Sequence, residues 1–238
     1  MKSNLDDGYY FGIGAFETIK VKQQKGILLK EHLERLNGSL QALNIKQHLS
    51  KEQVKSYIMS QGLVDGVLKI CVSEQNIHYI TRDNQYTAKM YQAGYKLAVS
   101  PILRNETSPL TYIKSLNHAD NILAKQYAKE NNYDEALLLN TKGAISEASS
   151  GNIFFVKGDC LFTPSIACGL LPGIIRGVIC KNEEVVETEI LLDQIKWYDE
   201  CFLTNSIMGI MRVVSIADVD FKSNNIVAKM QKKYQKFY

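Results

Sequence analysis

The chain contains no apolar run of the about 18 residues needed to cross a bilayer as a helix, so no transmembrane segment is expected. MKSNLDDGYYFG at the N-terminus lacks the apolar centre of a signal peptide, which points to the cytoplasm. Cys71, Cys160, Cys168, Cys180 and Cys201 form no CxxC pair, and five is an odd number, so small buried free thiols are expected in place of a disulfide framework. His32, His48, His78 and His118 have no ligand-like spacing, and no metal site is expected. The net charge is only +3, and the one dense basic stretch, KKYQK near the C-terminus, reads as the solvated face of a last helix. Neither a nucleic-acid nor a membrane-surface partner is indicated. No internal repeat and no low-complexity segment is present.

What is present is an ordinary globular composition. In 238 residues, 45% are hydrophobic and 22% charged, enough for one large domain or two small ones with a sizeable core. Residues 15–21, AFETIKV, alternate like a strand. KEHLERLNGSLQALNI places Leu33, Leu36, Leu40 and Leu43 at steps of three and four, the apolar stripe of an amphipathic helix. SKEQVKSYIMSQG reads as a second helix, with Ser50 as N-cap and Gly62 past its end. VLKICVS, IHYITR and YKLAVSPIL read as strands.

The pattern breaks at PILRNETSP, where two prolines with Asn, Thr and Ser mark a linker or cleft-side loop. The reading therefore divides the chain into an N-terminal α/β domain over 1–105, a loop over 106–113 and a C-terminal domain over 114–238. HADNILAKQYAKENNY follows as a helix, then short strands with turns at Lys142-Gly143 and Lys157-Gly158. A helix opens at Pro172-Gly173 and runs to about Asn182. EVVETEI, ECFLTNS and IMRVVSI are further strands, and a last helix covers roughly 224–237. The whole is a mixed α/β, or α+β, protein.

Four segments carry candidate chemistry. Lys114 in TYIKSLN stands between Ile113 and Leu116; a partly apolar setting would favour its neutral amine, the form that makes imines and carries protons. Glu147 precedes small residues, and a buried carboxylate there would need a cationic partner such as a protonated pyridine nitrogen. The helix at Gly173 offers unpaired backbone N–H groups to a phosphate. TNS after the apolar CFL puts Ser206 at a strand end, where hydroxyls and amides can collect around the same group. Arg35, on the first amphipathic helix, could add a bidentate contact. Taken singly, each of these is most simply a surface lysine, an ion-paired glutamate, an unliganded helix start, a capping serine and a surface arginine.

Taken in order they resemble the class IV, or fold type IV, family of pyridoxal-phosphate enzymes, which holds branched-chain aminotransferases, D-amino-acid aminotransferases and aminodeoxychorismate lyases. The resemblance runs through FGIGAFETIKV, HLERL, YIKSLN, YDEALLLNTKGAISEASSGNIF, GLLPGIIR and TNSIMGIM. It implies two α/β domains with pyridoxal 5'-phosphate in the cleft between them, in a homodimer whose second subunit helps to close the site. It implies Lys114 as the Schiff-base lysine and Glu147 as the partner of the pyridine nitrogen. Arg35, the Ile174 and Ile175 amides, and Ser206 with Ile207 would hold the phosphate, and Asn117, one helical turn beyond Lys114, would approach the phenolic oxygen.

Within the family the smaller features resemble the lyases that convert 4-amino-4-deoxychorismate to 4-aminobenzoate and pyruvate, a folate precursor step. Phe11 stands where aminotransferases often have tyrosine, and Thr18 where lyases carry a threonine proposed to assist proton transfer. TNSIMGIM resembles the lyase pattern more than the Gly-Thr-Ala of branched-chain aminotransferases. An aminotransferase acting on D- or branched-chain amino acids is the alternative implied. Arg104 and Arg82 are candidates for the substrate carboxylates. The chain departs from the lyases in SEQNIHYITRD, which lacks their Gly-rich stretch, and at Arg212, where many have proline.

Overall fold

A computed structural model describes residues 3–237. The chain divides into two compact units, one of residues 1–85 with Ile113–His118, the other of Tyr86–Tyr112 with Ala119–Phe237.

The first unit is built on a four-stranded antiparallel sheet in the order β2-β1-β3-β4, formed by β1 (Ala15–Lys22), β2 (Lys25–Gly26), β3 (Gly66–Val72) and β4 (Ile77–Arg82). One face is covered by α2 (Leu29–Ala42) and α3 (Lys51–Ser60). The alternation of β1 sends Ala15, Ile19 and Val21 into a core with Leu33, Leu36 and Leu40 of α2. Each such leucine contributes roughly 1.5–3 kcal/mol by leaving water. Ser50 caps α3 as expected, in a reciprocal capping box with Gln53. The expected helix over 30–45 stops at Ala42, because Asn44 turns the chain with a positive φ and Ile45 closes back on Leu40. A short helix absent from the sequence reading, α1 (Asp7–Phe11), starts on the Asp6 carboxylate and ends at Gly12, whose φ of 70° needs no Cβ to be accommodated.

The second unit contains a nine-stranded sheet. Its path runs β10 (Val185–Thr188), β9 (Cys160–Pro164), β8 (Asn152–Lys157), β11 (Glu200–Asn205), β12 (Gly209–Ile216), β5 (Tyr95–Val99), β6 (Glu135–Leu139) and β7 (Ile145–Ala148), with β13 (Val219–Asp220) on β12. The tight turn from Ala148 to Gly151 sets β7 beside the start of β8, so these strands curl around a core that includes Leu97, Leu137, Ile153, Phe155, Leu203 and Met211. The turns at Gly143 and Gly158 stand where expected, with φ of 82° and 59°. The helices of this unit are α4 (Ala88–Ala93), α5 (Ala119–Glu130), α6 (Ile174–Asn182) and α7 (Asn225–Tyr234). Among the described residues no helix is long and apolar enough to cross a membrane.

These units differ from a division into 1–105, 106–113 and 114–238. Residues 86–105 lie with the second unit because β5 is hydrogen-bonded between β12 and β6. The segment read as a loop is pinned there too: Arg104 bridges Asn140, and Glu106 accepts from the Thr141 amide and hydroxyl. Ile113–His118 returns to the first unit, where the Phe16 amide donates to the Lys114 carbonyl and the Leu116 amide to the Gly14 carbonyl. Lys114 and Asn117 are therefore not one helical turn apart; α5 begins only at Ala119. All five cysteines are free, but only Cys168 and Cys201 are buried; Cys160 opens a strand at a hairpin turn and is exposed. The basic tail is solvated as expected, with Lys232, Lys233 and Lys236 exposed and Tyr234 buried.

Candidate active site

The candidate residues fall into two groups, one in each unit. In the first unit they occupy both faces of β1. Odd-numbered residues face α2, and there Glu17 is fully buried. Its Oε1 accepts from Arg35 Nε at 2.7 Å, and its Oε2 accepts from Arg35 Nη2 at 2.8 Å and contacts His32 Nδ1 at 2.6 Å. Burial alone would push this carboxyl up; the Arg35 and His32 charges overcome it and hold the carboxyl at about 2. Arg35 is thus fixed by a bidentate pair on a rigid strand.

Even-numbered residues of β1 face away from the helices. Thr18 lies opposite Lys69 of β3, so the two share that face. Phe16 is two residues earlier, and two amines flank its ring, Lys114 Nζ at 4.5 Å and Lys69 Nζ at 4.7 Å from the centroid. The same ring meets His118 edge-on at 5.2 Å. This face therefore assembles Lys114, Lys69 and Thr18. Arg82 also belongs to it, at the exposed end of β4. Phe11 is 68% exposed at the end of α1. Asn117 is exposed, and its amide is held by Ser115 Oγ at 3.0 Å.

In the second unit the group centres on Glu147, 6% exposed on β7. Its Oε1 receives Arg104 Nη2 at 3.2 Å; its Oε2 receives Asn152 Nδ2 at 3.3 Å and the Leu171 amide at 3.2 Å. Arg104 in turn donates through Nη1 to Asn121 Oδ1 at 3.3 Å. This replaces the expectation that Arg104 meets a substrate carboxylate: its guanidinium is turned into the unit, onto Glu147, with a side chain 11% exposed. Arg212 likewise finds internal partners, the Phe221 and Lys222 carbonyls.

The start of α6 follows two residues after Leu171. Gly173 is its N-cap, and no side chain caps the first turn, so the Ile174 and Ile175 amides begin a helix whose N-terminal donors are not taken by a cap. Glycine is required here by space: a Cβ on Gly173 would lie 1.9 Å from Asn152 Oδ1. Asn152 pairs with Thr204 of β11, and among the described residues Thr204 Oγ1 is buried without a hydrogen-bond partner. Ser206 follows, half-buried, in the turn after β11. The Ile207 amide, an expected phosphate donor, is taken by Asn205 Oδ1 at 3.0 Å, which leaves Ser206 as the turn's contribution.

The donor set fits pyridoxal 5'-phosphate. A buried carboxylate facing Arg104 suits a protonated ring nitrogen, and an uncapped helix start with an orphaned hydroxyl nearby suits a phosphate. Sequence reading missed Asn152, Lys69 and Glu17. Lys69 was reachable, since strand pairing of AFETIKV with VLKICV puts it across from Thr18; Asn152 carried no signal beyond its place in SSGNIF. Among the described residues no group of side chains could hold a metal ion.

The model of the family "Amino-transferase class IV" matches residues 14–216. The chain is similar to an aminodeoxychorismate lyase of Bacillus subtilis, 27% identical over 98% of this chain and 88% of that protein. It is also similar to a Methanocaldococcus jannaschii protein assigned as a branched-chain-amino-acid aminotransferase, 30% identical over 97% of this chain and 88% of that one. A crystal structure of a Legionella pneumophila protein assigned as a 4-amino-4-deoxychorismate lyase superposes with a TM-score of 0.90 at 27% identity, over 100% of this chain and 96% of that one.

Proposed function

Because the chain belongs to the class IV aminotransferase family, whose members work with pyridoxal 5'-phosphate, we propose that it is a lyase that converts 4-amino-4-deoxychorismate to 4-aminobenzoate and pyruvate. When bound, the cofactor supplies an electron sink beside the amine-bearing carbon of the substrate. In this reading Lys114 would be the residue that holds the cofactor through its amine. Glu147 keeps its ring nitrogen protonated, and Arg35, the Ile174 and Ile175 amides and Ser206 hold its phosphate. The second subunit of a homodimer would complete the site.

The observation that carries the lyase over its relatives is the placement of Thr18. Thr18 shares the face of β1 that carries Phe16, and the Lys114 amine lies 4.5 Å from the centroid of that Phe16 ring. The reaction needs two proton movements at different atoms. The free Lys114 amine would take the proton from the amine-bearing ring carbon. The enolpyruvyl C–O bond then breaks, and Thr18 would help deliver a proton to the methylene carbon of the departing enolpyruvate. The ring becomes aromatic, and no keto acid is consumed. Lys69 and Arg82, cations on the same face, suit a substrate that carries two carboxylates.

The test is incubation of holoprotein with 4-amino-4-deoxychorismate and no keto acid. Equal amounts of 4-aminobenzoate and pyruvate are expected, with the cofactor spectrum unchanged at the end. The second reading, an aminotransferase, draws on the Methanocaldococcus jannaschii relative. Rapid conversion of the bound cofactor to its amine form by D-alanine or L-leucine, without 4-aminobenzoate from the first substrate, would replace the lyase with that reading.

A further inference from the structure

We infer that Asn152 is a positioning residue that locks the ring-binding carboxylate and the phosphate-binding helix into one rigid piece, and so couples recognition of the two ends of the cofactor. The inference rests on the cofactor reading above. Asn152 opens β8 and is 4% exposed. Its Nδ2 donates to Glu147 Oε2 at 3.3 Å and to the Leu171 carbonyl at 2.9 Å. The Leu171 amide closes the ring by donating to the same Glu147 oxygen at 3.2 Å. Its Oδ1 fills the space where Gly173 would carry a Cβ.

One amide therefore touches Glu147 on one side and the two ends of Leu171–Gly173, the lead-in to α6, on the other. The strand below adds a third element: Asn152 pairs with Thr204, two residues before Ser206. Its neighbour Gly151 packs so closely on that strand that a Cβ would lie 2.6 Å from the Thr204 carbonyl. Glu147, the α6 N-terminus and the Ser206 turn come from three separate stretches of chain; Asn152 touches the first two and pairs with the strand that leads into the third. Arg104 also holds Glu147, but neither of its hydrogen bonds reaches α6. Removing the Asn152 amide should therefore loosen both ends at once, and Gly173→Ala, whose Cβ would push on Asn152 Oδ1, should do the same, whereas Ser206→Ala should act at the phosphate end alone.

The experiment compares binding of pyridoxal 5'-phosphate and of phosphate-free pyridoxal to apoprotein, by fluorescence titration, in wild type, Asn152→Ala, Asn152→Asp and Ser206→Ala. Far-UV circular dichroism verifies that each variant is folded. Loss of hydrogen bonds to a charged group corresponds to about 10–100-fold in affinity. Asn152→Ala is expected to weaken both ligands by about that factor, and Ser206→Ala only the phosphorylated one. Asn152→Asp keeps the shape but sets an acceptor against the Glu147 carboxylate and the Leu171 carbonyl. Two carboxylates this close share a proton at low pH. Binding by Asn152→Asp should therefore recover as pH falls toward 5, a rescue that wild type does not show and that a purely structural role would not produce. Unchanged affinities in folded Asn152→Ala, loss of the phosphorylated ligand only, or a pH profile of Asn152→Asp parallel to wild type would overturn the inference. If wild-type apoprotein fails to bind the cofactor at all, the cofactor reading fails instead, and the two failures are told apart.

Discussion

Two buried glutamates, one in each unit, are held in different ways. Glu17 is sealed between β1 and α2, with Arg35 and His32 at 2.6–2.8 Å. Glu147 is held by Arg104, an amide side chain and a backbone N–H at 3.2–3.3 Å, next to an uncapped helix start. The first arrangement spends its charge on fixing an arginine within the fold. The second keeps a charge in place with longer, mostly neutral contacts, which suits a carboxylate whose task is to meet a cation from outside the chain. The same side chain thus serves structure in one unit and, in the proposed function, chemistry in the other; surrounding groups decide which.

The comparison predicts different consequences of breaking each. The largest effect belongs to neither glutamate but to Lys114: Lys114→Ala should lower turnover in the proposed reaction by about 10²–10⁴-fold or more and abolish the borohydride-sensitive absorbance band. Glu17→Gln leaves the buried end of Arg35 without its counter-charge and should destabilise the fold by about 3–5 kcal/mol, read as a fall in the urea midpoint. Glu147→Gln should change that midpoint far less, yet sharply reduce turnover because the ring nitrogen loses its proton's partner. A variant with an unchanged cofactor spectrum and full turnover would remove Glu147 from the site.

Acid titration sharpens the contrast further. The Glu17 carboxyl is depressed from its usual 4.5 to about 2 in the folded state. Its contribution is complete above the unfolded value and lost as pH falls from about 4.5 toward 2, amounting to about 3 kcal/mol. Glu17→Gln should lack that portion of the acid-unfolding curve. The smallest expected effect is that of Thr18→Val, on the open face of the sheet, which should slow release of pyruvate by about 10²-fold with cofactor binding and stability nearly unchanged. Equal slowing of cofactor binding would instead make Thr18 part of the scaffold.

Much of this was legible in the sequence because it is local. The period-two alternation of AFETIKV, the leucine stripe of α2, the capping box at Ser50 and the turn glycines 143 and 158 are set by neighbours in the chain. The helix at Gly173 was legible for the same reason. Illegible were features that arise only when distant stretches meet. Arg104 looked like a loop arginine free to bind substrate, yet it is drawn inward by Glu147, 43 positions away. The parity of β1 hides Glu17 and presents Thr18, but which face the helices cover is a tertiary fact. The unit boundary was obscured because β5 belongs to a sheet whose paired residues lie 38 to 119 positions further on.

The central claim is that Lys114, and no other lysine, holds the cofactor. Reducing the holoprotein with borohydride and mapping the modified peptide by mass spectrometry tests it directly. The pyridoxyl group is expected on the peptide containing Tyr112–Leu116, at Lys114. Finding it on Lys69, whose amine lies against the same Phe16 ring, or on no lysine at all, would contradict the account.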